Sequence, residues 1–230
     1  MASLLTPPIK NVIVAAAVKL DIKDISNSSM HEELKEFYPK ISPRKSGKIM
    51  LSDSGITTSR EELDGYVFTS ADNNKNAYIE LRRIAFDNRN KYTNFDDFSK
   101  EYVNILKIMQ KHINNFSISG LLALRYINEF SLSKKEKNLF KIALTSASDT
   151  QYFFDAYFRI KNTSKNINSF VQALCRENIN NDSIQIIFDI DSRAKCNDMQ
   201  NIMQDLTDLR EEKNRIFFNN VDSALIERWK

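Results

Sequence analysis

Alternation of apolar and polar residues predicts a chain rich in β-strands. The first apolar segment spans residues 9–22 and follows Pro7 and Pro8, which cannot donate to a strand ladder and often precede a strand. Three further segments of the first half have strand length and span residues 47–54, 64–70 and 76–86. The polar residues 71–75 separate the last two segments, which predicts a β-hairpin.

Apolar residues that recur three and four positions apart predict two helices in the first half. In the shorter helix, Met30 and Leu34 lie on one face, and the spacing of Ser29 and Glu32 is that of a capping box. The longer helix begins after Thr93, which is its predicted cap. Its apolar stripe consists of Phe95, Phe98, Tyr102, Ile105, Leu106, Met109 and Ile113.

The second half repeats this order of elements. A strand is predicted over residues 116–130, followed by a helix over residues 133–144. Further strands are predicted over residues 150–161, 167–175 and 183–194. A long helix from Asp198 is expected to turn a set of apolar residues inward, namely Met199, Ile202, Met203, Leu206, Leu209 and Ile216. A final short helix begins at Asp222, which can cap it.

Both halves therefore have the element order β-α-β-β-β-α, which predicts an α+β fold. The sheets are expected to be mostly antiparallel, each packed on a long helix. The predicted halves span residues 1–115 and 116–230, as two domains or as one continuous domain. This is an internal duplication of topology, since no repeat of individual residues accompanies it. One joined sheet and two separate sheets both fit the pattern.

The composition argues against several common enzyme classes. The 230 residues include 4 glycines, and their positions form no glycine-rich phosphate loop. The chain has no H-E-x-x-H, G-x-S-x-G or C-x-x-C motif, as zinc proteases and serine hydrolases would need. With 2 cysteines and 2 histidines, neither a disulfide framework nor a zinc site is expected. We therefore predict no cofactor and favour a non-catalytic protein.

The N-terminal apolar segment is interpreted as a strand and not as a signal peptide. It lacks a preceding basic region and is followed at once by Lys19, Asp21 and Lys23. No apolar run reaches the roughly 20 residues of a membrane span. We therefore expect a cytoplasmic protein with no membrane contact.

Basic residues form clusters in a chain of net charge +3. The clusters lie at residues 40–48, at Arg82, Arg83, Arg89 and Lys91, and at Lys134, Lys135, Lys137 and Lys141. They are either solvated faces or a phosphate-facing surface with salt-dependent contacts. The candidates for phosphate contact are Lys40, Arg44, Lys45, Lys48, Arg82 and Arg83, near the aromatic residues Tyr66, Phe68, Tyr78 and Tyr92. Such a surface would bind RNA by stacking and phosphate contacts.

One predicted strand places a charge in an apolar row. Alternation puts Arg125 on the same face as Ala123 and Ile127. Because a buried unpaired charge is costly, Arg125 needs a partner or a ligand, and Asp189 or Asp191 on the last strand is the expected partner. The two aspartates share a face and could instead hold Mg²⁺ in a nuclease. The chain offers no evident third acidic ligand, so we favour a structural network and predict no metal.

The chain resembles a sporadically distributed family of prokaryotic proteins of unknown function. The segments that carry the resemblance are "PPI" at 7–9, "GYVFTS" at 65–70, "LRYIN" at 124–128, "IIFDID" at 186–191 and "LREEKNRIFF" at 209–218. The resemblance implies no activity. It implies a shared polar network of Arg125, Tyr126, Asn128, Asp189, Asp191, Arg210 and Asn214. The patchy distribution of the family implies a mobile-element, toxin-antitoxin or anti-phage defence setting with a partner protein.

Three functions follow from these observations. The first is a non-catalytic binding protein that acts through protein contacts, with a partner protein or as a homo-oligomer. The second is an RNA-binding or RNA-processing protein that uses the basic clusters. The third, least favoured, is a nuclease that uses Asp189 and Asp191 as metal ligands.

Overall fold

The fold is α+β, with one large antiparallel sheet and helices packed against it. The computed structural model describes residues 8–46, 49–52, 55–58, 61–142, 153–178, 182–196 and 198–229. The nine strands of the large sheet lie in the order β2-β5-β6-β7-β1-β8-β11-β10-β9, and β3 and β4 form a separate hairpin. None of the helices in the described ranges is long and apolar enough to cross a membrane.

The strands and helices have the following bounds. The strands of the first half are β1 (Ile9–Val18), β2 (Lys40–Ser46), β3 (Ile49–Ser52), β4 (Gly55–Thr58), β5 (Glu62–Thr69), β6 (Lys75–Glu80) and β7 (Arg83–Arg89). Those of the second half are β8 (Ile118–Ser133), β9 (Phe153–Asn162), β10 (Ile167–Asn178) and β11 (Ser183–Cys196). The helices are α1 (Ile22–Ile25), α2 (Ser28–Lys35), α3 (Phe95–His112), α4 (Ile202–Asn220) and α5 (Ser223–Glu227), with a 3-10 helix at Lys134–Leu139.

The chain divides into two compact units. The N-terminal unit consists of Val14–Leu121 and Cys196–Ile202. The C-terminal unit consists of Met1–Ile13, Leu122–Lys195 and Met203–Lys230. The predicted division at residues 115 and 116 and the predicted internal duplication stay predictions.

The N-terminal unit is built around α3, whose apolar stripe is buried as predicted. Every member of that stripe is at most 5% exposed. The hydroxyl of Tyr102 donates to the carbonyl of Ile84 at 3.1 Å, which ties the helix to β7. Both helix caps differ from the prediction by a residue or two. Asn27 caps α2 and Asn94 caps α3, in place of Ser29 and Thr93.

The C-terminal unit packs its sheet against α4 and α5. One face of β8, β10 and β11 joins the two helices in a single apolar core that includes Phe188, Ile216, Phe217 and Leu225. Asp222 caps α5 by accepting a hydrogen bond from the amide of Ala224 at 2.9 Å, as predicted.

Several sequence predictions about elements are wrong. The strand predicted over residues 9–22 ends at Val18, and the helix α1 begins at Ile22. The helix predicted from Asp198 begins at Ile202. The predicted strand over residues 76–86 is two strands, β6 and β7, with a turn at Leu81 and Arg82. The predicted helix over residues 133–144 is replaced by the shorter 3-10 helix, and residues 143 and 144 lie outside the described ranges. Met203 of α4 is 38% exposed, although its helical spacing predicted an inward position.

Candidate binding surface on the C-terminal sheet

The second face of the C-terminal sheet carries a polar and aromatic surface. Alternation along β11 sends Phe188 and Ile190 into the core, and sends Asp189, Asp191 and Arg193 to the opposite face. The strand register aligns further residues with these three. We call this the open face, and its members are Arg125 on β8, Asp189, Asp191 and Arg193 on β11, Phe170 and Gln172 on β10, and Asp155, Tyr157, Arg159 and Lys161 on β9.

Arg125 pairs with Asp189 across the open face. The Nε of Arg125 donates to both carboxylate oxygens of Asp189, at 2.9 and 3.0 Å, and Nη2 also donates to Oδ2. These hydrogen bonds raise the pKa of Arg125, while partial burial acts in the opposite direction. The predicted partner is thus confirmed as Asp189. The pair is not in the core, however, because the side chain of Arg125 is 43% exposed.

Asp191 has an arginine of its own. The Nε and Nη2 of Arg193 donate to Oδ2 of Asp191, at 3.0 and 2.6 Å. The carboxylate raises the pKa of Arg193, against the effect of burial. Within the described ranges, Oδ1 of Asp191 is buried without a hydrogen-bond partner, so compensation of this charge depends on Arg193.

An aromatic pair lies next to these arginines. The rings of Tyr157 and Phe170 stack with centroids 6.3 Å apart and an angle of 27° between their planes. Tyr157 is 67% exposed, which is unusual for so large an apolar surface. The guanidinium carbons of Arg193 and Arg159 lie 4.6 and 5.6 Å from the centroid of Phe170. Cation–π attraction therefore holds both arginines beside the aromatic pair.

The open face encloses a shallow pocket. Its volume is about 170 Å³, and its lining includes Arg125, Tyr157, Phe170, Asp189 and Arg193. Ligand sites for whole small molecules usually span roughly 300–1,000 Å³. A cavity of about 150 Å³ is enough for one benzene ring. The pocket therefore has the size of a subsite for one flat ring.

Other members of the predicted polar network lie on the opposite face of the sheet. Tyr126 is 1% exposed, and the Nζ of Lys213 lies 3.8 Å from the centroid of its ring. Asn128 donates from Nδ2 to the carbonyl of Phe188 at 2.9 Å, so its amide satisfies a neighbouring backbone group. Arg210 and Asn214 are on α4, the helix that packs on this face. The structure thus separates the predicted network into two groups.

Three residues of the predicted basic surface make intramolecular polar contacts, two of them ion pairs. Glu80 accepts from Arg44 and Arg83, at 3.1 and 2.9 Å. The ammonium of Lys40 donates to Oδ1 of Asn73 at 2.7 Å. Lys45 and Arg82 are exposed, and Lys48 lies outside the described ranges. Of the aromatic residues proposed for stacking, Phe68 is fully buried and the hydroxyl of Tyr78 donates to Asp87 at 3.0 Å.

The aromatic part of the open face was missed by the sequence reasoning. The signal was present, since alternation along β9 separates Tyr157 and Arg159 from Phe158 and Ile160. Alternation identifies the residues that share one face of a strand, but it does not show which face of the sheet a helix covers.

The geometry does not favour the use of the two aspartates as metal ligands. Asp189 and Asp191 each accept hydrogen bonds from an arginine. In the part of the chain that the structure describes, no group of three or more His, Cys, Asp and Glu side chains is arranged to hold a metal ion.

Comparison with protein-family models and with curated proteins gives no match for this chain. The resemblance to the sporadic prokaryotic family therefore stays a prediction from the segments quoted above.

Proposed function

We propose that the protein is a non-catalytic binding protein that holds single-stranded RNA on the open face of its C-terminal sheet. The observation that carries the proposal is the exposed Tyr157 ring, which stacks on Phe170 between two arginines. Any base can stack on such a ring, because every base has a π-face, so binding of this kind does not depend on the RNA sequence. An antiparallel sheet with helices on one face and aromatic residues on the other is a common platform for this purpose.

The charges of the open face suit a phosphate backbone. Arg159 is hydrogen-bonded at 2.6 Å to the amide oxygen of Asn168, a neutral partner, so this contact leaves its positive charge uncompensated. Lys161, which is exposed, lies two residues further along β9 and on the same face. The charges of Arg125 and Arg193 are offset by their aspartates. Arg159 and Lys161 are therefore the expected phosphate contacts, and the paired arginines shape the pocket.

Fluorescence anisotropy with a labelled single-stranded RNA, at low salt, tests the proposal. We expect the wild-type protein to bind and Tyr157→Ala to lose about fivefold or more in affinity, since base stacking contributes about 1–3 kcal/mol. Arg159→Gln should weaken binding. It should also make the dependence on salt less steep, so that the magnitude of the slope of log affinity against log salt concentration falls by about 1.

Lys45→Gln is the matched control, because Lys45 is exposed and belongs to the predicted basic surface on β2. Its affinity should equal that of the wild type. If Lys45→Gln weakens binding and Tyr157→Ala does not, RNA binds at the basic clusters and the open face is not the site. No binding at low salt would remove the proposal altogether, because low salt strengthens phosphate contacts.

A function through protein contacts is the outcome if RNA fails to bind and a stoichiometric partner co-purifies from the host. A place in a mobile-element, toxin-antitoxin or anti-phage defence system rests on the family resemblance alone. The identity of the neighbouring genes would test it.

A further inference from the structure

The strand β9 lies at one edge of the sheet that the described residues form. Within the described ranges it has one neighbour, β10, to which it is paired from Phe153 to Asn162 with no break in register. An edge strand presents a row of unpaired N–H and C=O groups, and proteins usually block such a row with a proline, a bulge or a covering element. The segment 153–162 contains no proline.

The other edge strand, β2, shows how this chain blocks an edge. It contains Pro43, which has no N–H to donate, and its register against β5 shifts between Arg44 and Lys45. All of its residues are exposed and three carry a positive charge, namely Lys40, Arg44 and Lys45. β2 therefore has a proline and a register shift that oppose pairing, and its charges are all positive. β9 has neither of these two features, and its charges are of both signs, namely Asp155, Arg159 and Lys161.

We propose that β9 pairs with β9 of a second copy of this chain, antiparallel and centred on Tyr157. In an antiparallel pair, two residues that face each other either exchange backbone hydrogen bonds or both direct their backbone groups away from each other. Two identical strands satisfy this condition only when the two-fold axis passes through a residue, and not between two residues. Centring on Tyr157 places Asp155 opposite the partner's Arg159 and Ala156 opposite the partner's Phe158.

The pairs that this register creates are complementary. Asp155 and Arg159 are both exposed and lie on the open face, so the dimer gains two cross-strand pairs of opposite charge by symmetry. Ala156 and Phe158 lie on the other face, where Phe158 already packs against the apolar core. The interface is thus polar on the face where β9 is polar and apolar on the face where β9 is apolar, as an isologous interface requires.

A charge exchange tests this pairing. The wild type should have twice the molar mass of the 26.7 kDa chain by light scattering at high concentration. Asp155→Arg brings two arginines together and Arg159→Asp brings two aspartates together, so each variant alone should be a monomer. An equimolar mixture should restore the dimer, because arginines of one variant then face aspartates of the other.

A wild-type monomer at the highest soluble concentration would overturn the proposal. So would dimers of both single variants, since the register predicts like charges in contact. Circular dichroism and thermal melting would verify that each variant is folded.

A disulfide test decides the register without a change of charge. Tyr157 faces itself across the axis, so Tyr157→Cys should give a covalent dimer on mild oxidation. Lys161→Cys is the control, because in this register Lys161 does not face its own copy. Both native cysteines, Cys175 and Cys196, are buried and should not interfere. A cross-link through residue 161 in place of residue 157 contradicts the proposed register. This proposal does not rest on RNA binding, although both proposals involve Tyr157 and Arg159. In the dimer Arg159 is paired with the partner's Asp155, so Lys161 is then the phosphate contact on β9 that keeps its charge. Light scattering without RNA tests the dimer alone, and anisotropy tests RNA binding alone.

Discussion

Arg125 shows how far a single residue can be interpreted from sequence. An arginine in an otherwise apolar row needed a partner, and the last strand offered two aspartates on one face. The structure supplies Asp189 as that partner through hydrogen bonds to both carboxylate oxygens. The prediction of the partner succeeded because it followed from the cost of an uncompensated charge. The expectation of a core location failed because alternation does not tell which face of a sheet is covered.

Removal of one member of the Arg125–Asp189 pair should cost more stability than removal of both. Asp189→Asn should lower the free energy of unfolding by about 1–3 kcal/mol, since a charge-assisted hydrogen bond is lost and a half-buried guanidinium loses its counter-charge. The double variant Arg125→Met with Asp189→Leu should recover most of this loss. Urea denaturation of the single and double variants measures both effects.

Asp208→Asn is a suitable control for that series. Asp208 pairs with Lys165 at 2.8 Å on the surface, where an ion pair contributes at most about 1 kcal/mol. If Asp208→Asn and Asp189→Asn cost the same, the open-face pair has no special role in stability.

Lys213 is the residue whose charge is least compatible with its surroundings. It is 7% exposed and lies over the ring of Tyr126. Burial lowers its pKa to about 7, and the nearby charge of Arg210 contributes in the same direction. In the unfolded chain its pKa is about 10.4. Between these two values the unfolded state binds more protons than the folded state, so stability should rise with pH across this window.

Lys213→Met isolates this effect. The variant keeps an unbranched apolar side chain over Tyr126 but cannot titrate. We expect it to be more stable than the wild type at pH 6, with the difference shrinking as the pH rises from about 7 to about 10. Urea denaturation across this range measures the difference in unfolding free energy. A difference that stays constant with pH would show that Lys213 is not neutral in the folded protein at high pH.

At the scale of elements, the turn between β6 and β7 shows why one boundary was missed. Leu81 and Arg82 are not turn formers, and the segment around them has the alternation of a single strand. The turn is held by contacts that are distant in sequence. The amides of Leu20 and Val18 donate to the carbonyls of Leu81 and Arg82, at 2.8 and 3.1 Å. The local sequence pattern does not indicate such hydrogen bonds. The apolar stripe of α3 could be predicted because its periodicity lies within one segment.

Gly65 fixes the approach of β5 to β6. It lies opposite Glu80, and a Cβ at this position would lie 2.8 Å from the Cα of Glu80 and would overlap the carbonyl oxygen of Ile79. Because both obstacles are backbone atoms, Gly65→Ala should destabilise the protein by about 1–3 kcal/mol. Thermal or urea unfolding tests this. Ser42→Ala on the neighbouring strand β2, at an exposed position, should change stability by less than about 0.5 kcal/mol. Equal effects of the two changes would contradict the packing argument.

At the scale of the whole molecule, the sequence was sufficient for the α+β class but not for the order of strands. The longer elements carry a local period, which is why the class and the buried stripe of α3 could be predicted, whereas the short elements α1, β2 and β4 were missed. The neighbours β1–β7 and β8–β11 are far apart in sequence, and no residue pattern specifies such pairings. The aromatic pair of the open face, Tyr157 and Phe170, likewise could not be predicted from local sequence. Its residues come from β9 and β10, and their exposure depends on where α4 and α5 pack.

The blocked strand β2 has a consequence for how large an assembly can become. Sheets with two pairable edges can add further copies at both ends, which leads to fibres of undefined length. Among the edge strands that the structure describes, the register shift and Pro43 oppose addition at β2, so the proposed association uses β9. A two-fold contact through β9 uses the same edge of both copies and leaves no edge for a third. Growth of the proposed assembly therefore stops at two copies.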